Sequence, residues 1–153
     1  MNSMKKLNYF ILLVSFLTLS CSKDSPPETV TPVSYSVVGL WKTTSAVLNG
    51  VERFGGTNPV KSELYNFNVN GVLNTQSYSD PNYTTVISYS TGGYTLPNAS
   101  TINMWANAYN PNGTLLSQYN LSCQVQLINA TNLEIKILNY PAANDVYIKK
   151  FIR

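Results

Sequence analysis

The chain has 153 residues, of which 44% are hydrophobic and only 11% charged, and it contains no histidine. This is too apolar for a disordered chain, and the length suits one domain plus a targeting segment. Formal net charge is +3, but Lys5 and Lys6 fall in the leading segment. Without them, eight basic residues stand against seven acidic ones, a balance that gives nucleic acid no electrostatic footprint.

Residues 1–20 have the three-part layout of a secretory signal: Lys5 and Lys6, the apolar run Tyr9 to Leu19, then a short exit to Cys21. About 20 apolar residues are needed to cross a bilayer core, so this run predicts a cleaved signal rather than a membrane helix. Thr18-Leu19-Ser20-Cys21 resembles a bacterial lipobox, with Thr where Leu is usual, and Ser22-Lys23-Asp24 resembles the tether starts of Bacteroidetes-type lipoproteins. The resemblance implies lipidation of Cys21 and a lipid-anchored chain in the bacterial cell envelope, at the outer membrane. Its first partner is then membrane lipid, held through the acylated cysteine. One acyl chain anchors only marginally, at about 0.8 kcal/mol per buried methylene, whereas several hold firmly. A simple cleavable signal with an incidental cysteine is the alternative. Residues 21–36 carry three prolines among Ser and Thr and read as an extended tether.

From residue 37 to 153 a two-residue periodicity dominates. Strands are predicted at 40–48, 62–69, 72–78, 84–90, 93–97, 101–108, 114–128, 132–138 and 146–152. Asn49-Gly50, Asn70-Gly71 and Asn112-Gly113 predict type I′ turns, because both residue types accept positive φ. Gly92-Gly93 predicts a further reversal. Leu115, Tyr119, Leu121, Cys123, Val125 and Leu127 share one face of their strand, with Ser117 the polar exception. The expected fold class is all-β: a small antiparallel up-and-down barrel of eight or nine strands, whose closure removes vulnerable edges.

Gly39-Leu40-Trp41 opening the first strand, and Tyr65-Asn66-Phe67-Asn68-Val69-Asn70-Gly71-Val72 running into a hairpin, resemble the lipocalin-like domains of small Bacteroidetes lipoproteins. The resemblance covers most of 37–153. It implies a calycin-like barrel in which Trp41 closes one end under a basic residue of the last strand: Arg153, Lys149 or Lys150. A cation–π contact of that kind is worth about 0.5–2 kcal/mol.

Chemistry is sparse. Without histidine, with one thiol in the domain and with no calcium-loop spacing, no metal or cofactor is expected. The tethered domain has five carboxylates, Glu52, Glu63, Asp80, Glu134 and Asp145, which read as solvated surface groups. Cys123 reads as a buried inert thiol. No enzymatic activity is expected. The reading is a binding module for a small apolar or amphipathic ligand, with Tyr65, Phe67, Met104, Tyr119 and Leu121 as candidate lining residues. The alternatives are a structural or protein-interaction module of the envelope and, third, a carbohydrate-binding module using Trp105 or a row of tyrosines.

Overall fold

The computed structural model describes residues 36–54 and 57–153. The predicted signal, Cys21 and all of the predicted tether except Ser36 lie outside the described residues. Nine strands follow in chain order: β1 Gly39–Leu48, β2 Val51–Glu52, β3 Ser62–Phe67, β4 Val72–Tyr78, β5 Val86–Asn98, β6 Thr101–Tyr109, β7 Leu115–Ile128, β8 Asn132–Leu138 and β9 Val146–Ile152. Apart from β2, each strand pairs antiparallel with its neighbours in sequence, and β1 pairs with β9 to close the ring. The result is an eight-stranded up-and-down barrel, with β2 a two-residue addition outside the ring on β1.

The barrel has two unlike ends. At one, here the floor, lie the segment 36–38, the turns at 68–71 and 99–100, and the link between β7 and β8. At the other, the mouth, lie the turn at 49–50 and the links 79–85, 110–114 and 139–145. The floor half is packed solid. Trp41, Phe67, Leu73, Ile102, Cys123, Leu133, Ile135 and Phe151 are each at most 1% exposed. Each comes from a different inward position of the alternating strands, so their burial is a direct product of the period of two. Phe67 meets Tyr94 edge-on at 5.0 Å, and Tyr65 meets Phe151 likewise at 5.1 Å. Trp41 donates its Nε1–H to the Val37 carbonyl at 2.6 Å, and the Arg153 guanidinium lies 4.1 Å from the indole centroid. Arg153 also donates to the Ser36 carbonyl, tying the entering chain to the last strand.

Three sequence expectations change. Gly92-Gly93 is no reversal; β5 runs straight through it. A Cβ on Gly92 would stand 2.0 Å from the Trp105 carbonyl oxygen and 2.6 Å from Ala106 Cα, so the glycine allows the backbone of β6 to approach closely. The type I′ turn forms only at Asn49-Gly50, where both φ values are positive. At Gly71 and Gly113 the glycine alone is left-handed, and four-residue loops close through Gly71 N–H to Asn68 O and Gly113 N–H to Asn110 O. That is a type I turn with a left-handed glycine at its end, which moves Asn68 and Val69 from strand into loop. Last, register shifts at Ala108/Tyr109 and Val125/Leu127 turn residues outward that simple alternation assigns inward. Leu115 and Leu127 are 50% and 47% exposed for this reason.

Candidate functional site

Toward the mouth the inward positions change character. Along β3 they read Phe67, Tyr65, Glu63; along β4, Leu73, Thr75, Ser77; along β9, Phe151, Lys149, Tyr147. Polar side chains at inward positions do not fill space as Leu or Phe would, and a cavity of about 200 Å³ remains inside the mouth half. Its two walls differ. Strands β3 to β5 supply Glu63, Tyr65, Thr75, Ser77, Ser88 and Ser90, whereas β6 to β8 supply the apolar Met104, Ala108, Leu121 and Ile137 together with two hydroxyls, Ser117 and Tyr119. Tyr140 and Tyr147, stacked at 6.2 Å, stand on the third side.

At the centre is an ion pair. Lys149 Nζ reaches the Glu63 carboxylate and donates to Tyr65 Oη at 2.7 Å, and it lies 4.9 and 5.2 Å from the Tyr65 and Tyr147 ring centroids. The two charged side chains retain only 6% and 14% exposure. Burial alone would lower the Lys149 ammonium. The Glu63 carboxylate and the surrounding phenols outweigh that and hold it well above the ordinary lysine value, so it is a fixed cation at neutral pH. Burial in turn pushes the Tyr65 phenol well up, with the Glu63 charge adding to the effect. Beside this pair the Thr75 and Ser90 hydroxyls bond to each other, and Ser90 is 3.4 Å from Tyr119 Oη. Tyr119 is likewise raised by burial and keeps its proton. The chamber thus holds one cation, one anion and a run of hydroxyls against a mainly apolar wall.

Of the five lining residues expected from the sequence, Tyr65, Met104, Tyr119 and Leu121 border this cavity. Phe67 does not. It belongs to the packed floor, fully buried against Tyr94, because it is two residues further toward the closed end of β3 than Tyr65. Of the three basic residues considered for the indole, Arg153 covers it; Lys149 points into the chamber, and Lys150 points outward to Glu134 at 3.3 Å. The carboxylates are not all surface groups. Glu63 is interior, a placement that its alternation with Tyr65 and Phe67 could have signalled. The other four are tied up separately. Glu52 accepts from the Ala46, Arg53 and Phe54 amides and from Ser45, which outweighs burial and lowers its pKa. Asp80 accepts from the Asn82, Thr84 and Thr85 amides, which lower it. Asp145 accepts from Asn49 and Ala142, and Glu134 meets Lys150. Cys123, buried in the floor, has its thiol pushed up to about 12 by burial. No group of three metal-ligating side chains occurs among the described residues.

The ring of eight antiparallel strands and its partly open interior are compatible with a calycin or lipocalin-like fold. No family model matches the chain, and neither does any curated protein or solved structure.

Proposed function

We propose that the protein is an envelope lipoprotein, anchored through acylated Cys21, whose barrel captures a small amphipathic ligand in the mouth half without chemical conversion. The observation that carries this reading is the chamber of about 200 Å³ with a hydroxyl and charge-bearing wall facing a mainly apolar one. Drug-sized pockets run at about 300–1,000 Å³, so the ligand is smaller than a typical carrier's cargo. Its polar end hydrogen-bonds to Ser77, Ser88 and the Lys149–Glu63 pair, and its apolar part lies on Met104, Leu121 and Ile137. An ion pair this deep is costly to desolvate and adds little to stability over apolar replacements, so packing alone gives no reason for it. Lys149, held protonated, is no nucleophile, and a thiol near 12 is none either. Both support binding over catalysis.

Two mass measurements on the protein purified from its own membrane test the reading. Intact mass is expected to show a chain beginning at Cys21 with acyl mass added; an unmodified Cys21 removes the anchor. Native mass spectrometry is expected to show a small molecule that leaves on unfolding and is absent from Ser88→Phe, in which an aromatic ring occupies the chamber. A parent chain with no bound molecule, under conditions that preserve other complexes, removes the ligand.

A further inference from the structure

The outer surface of the same barrel carries a different kind of site. No Asp, Glu, Lys or Arg occurs between Asp80 and Glu134, a stretch that supplies β5, β6 and β7 entire, and β4 has none either. The ladder registers align one outward residue from each of five adjacent strands into a single row: Asn66, Asn74, Thr91, Asn107 and Gln118. At a strand spacing of about 4.8 Å the row extends about 19 Å. None of its five side chains is engaged in a hydrogen bond among the described residues. Two shallow depressions of about 450 and 420 Å³ lie along it and meet at Thr91.

Aromatic side chains flank the row on both sides. On one side Tyr89 and Tyr109 stack across β5 and β6 at 5.4 Å and 24°. On the other, Trp105 is 45% exposed although its cross-strand partner Gly93 is buried. A Cβ on Gly93 would stand 2.5 Å from the indole, so the missing side chain lets the ring lie down on the sheet with one face covering the glycine. The other face is a flat, pre-positioned platform.

Carboxamides both donate and accept, and Thr does the same through one oxygen. A row of them suits a partner with many neutral hydroxyls. The lack of charge gives no attraction to polyanions, and covering unsatisfied amides with an apolar protein surface would cost desolvation without return. Aromatic faces suit the C–H faces of pyranose rings. We propose that the outer face of β3 to β7 is a second binding site, for neutral oligosaccharide, with Trp105 as stacking platform and Asn74, Thr91, Asn107 and Gln118 as hydroxyl partners. No carboxylate borders the row among the described residues, so it binds and does not hydrolyse.

The protein has two tryptophans and Trp41 is fully buried, so acrylamide quenching of the accessible fluorescence reports Trp105. Titration of the full chain with cellohexaose, maltohexaose, xylohexaose and chitohexaose is expected to find at least one that shields Trp105, with an affinity insensitive to salt. Trp105→Ala is expected to weaken it by about tenfold, Trp105→Tyr by less. Thr91→Lys, which leaves Gly93 covered, is expected to weaken it as well. Ser88→Phe, which fills the interior chamber, is expected to leave oligosaccharide affinity as in the parent, so the two sites fail or stand separately. The proposal is overturned if no neutral oligosaccharide binds, if Trp105→Ala and Thr91→Lys both bind as the parent does, or if a sulfated polysaccharide is preferred and lost with salt. It is equally overturned if Trp105 is shielded by self-association or by a protein partner in the absence of sugar.

Discussion

The floor and mouth halves of the barrel are built by the same strands with the same alternation, yet they differ in what their inward side chains are. At the floor the inward positions are hydrocarbon or aromatic groups apart from the Cys123 thiol and the Thr43 hydroxyl, and they are buried against one another. Two to four residues further along β3, β4 and β9 the inward positions become Glu63, Ser77 and Lys149, and packing gives way to an open chamber. The strands are held in register by the floor, so the mouth can carry polar side chains that contribute little to stability. The same alternation can thus build a packed core at one end of a barrel and a polar, partly open interior at the other.

The largest expected effects lie in the floor. Trp41→Ala and Phe67→Ala should each cost about 3–5 kcal/mol, because both side chains are fully buried and leave cavities that the barrel cannot close. Urea denaturation measures this, and a loss under about 1 kcal/mol would erase the distinction between the halves. Next is the ion pair. Glu63→Gln leaves a buried ammonium without its counter-charge and should cost about 3 kcal/mol, whereas the double change Glu63→Leu with Lys149→Met should be near neutral. A double-mutant cycle reads the difference, and two additive losses would mean that the charges act independently.

The same pair gives an alkaline dependence. Lys149 is held above its ordinary value of about 10.4, so the stability it adds is complete below that pH and lost as pH rises through the higher folded value. Tyr65, also raised, acts in the same direction. Above about pH 10.4 the parent should therefore lose stability more steeply than the double variant, which retains Tyr65 but has no ion pair. Equal slopes in urea titrations would contradict this. The smallest effect is a gain. Thr43 is buried, and its Oγ1 has no hydrogen-bond partner among the described residues. Thr43→Val removes the orphan hydroxyl at nearly constant volume and should stabilise by about 1 kcal/mol, read from the urea midpoint.

The barrel was legible in the sequence because alternation is a local signal, and Leu133, Ile135 and Ile137 need no partner strand to be seen. Tyr65, Met104, Tyr119 and Leu121 could be placed inside for the same reason. What escaped depends on neighbours. Gly92 and Gly93 look like a turn until Trp105 and Ala106 are set opposite them. Leu115 and Leu127 look inward until the bulges beside them are known. Glu63 obeys the alternation but bears a charge, and a charge reads as surface until Lys149, far away in the chain, is seen to neutralise it. Phe67 and Tyr65 differ only by depth in the barrel, which no single strand reveals.

The central claim is that the mouth half holds open space while the floor does not, and Ser88→Phe tests it most directly. If the chamber exists, the added ring fills it and stability in urea holds or rises. Were the interior as tightly packed there as at the floor, the same substitution would overpack it and lower stability by about 1–3 kcal/mol, contradicting the account.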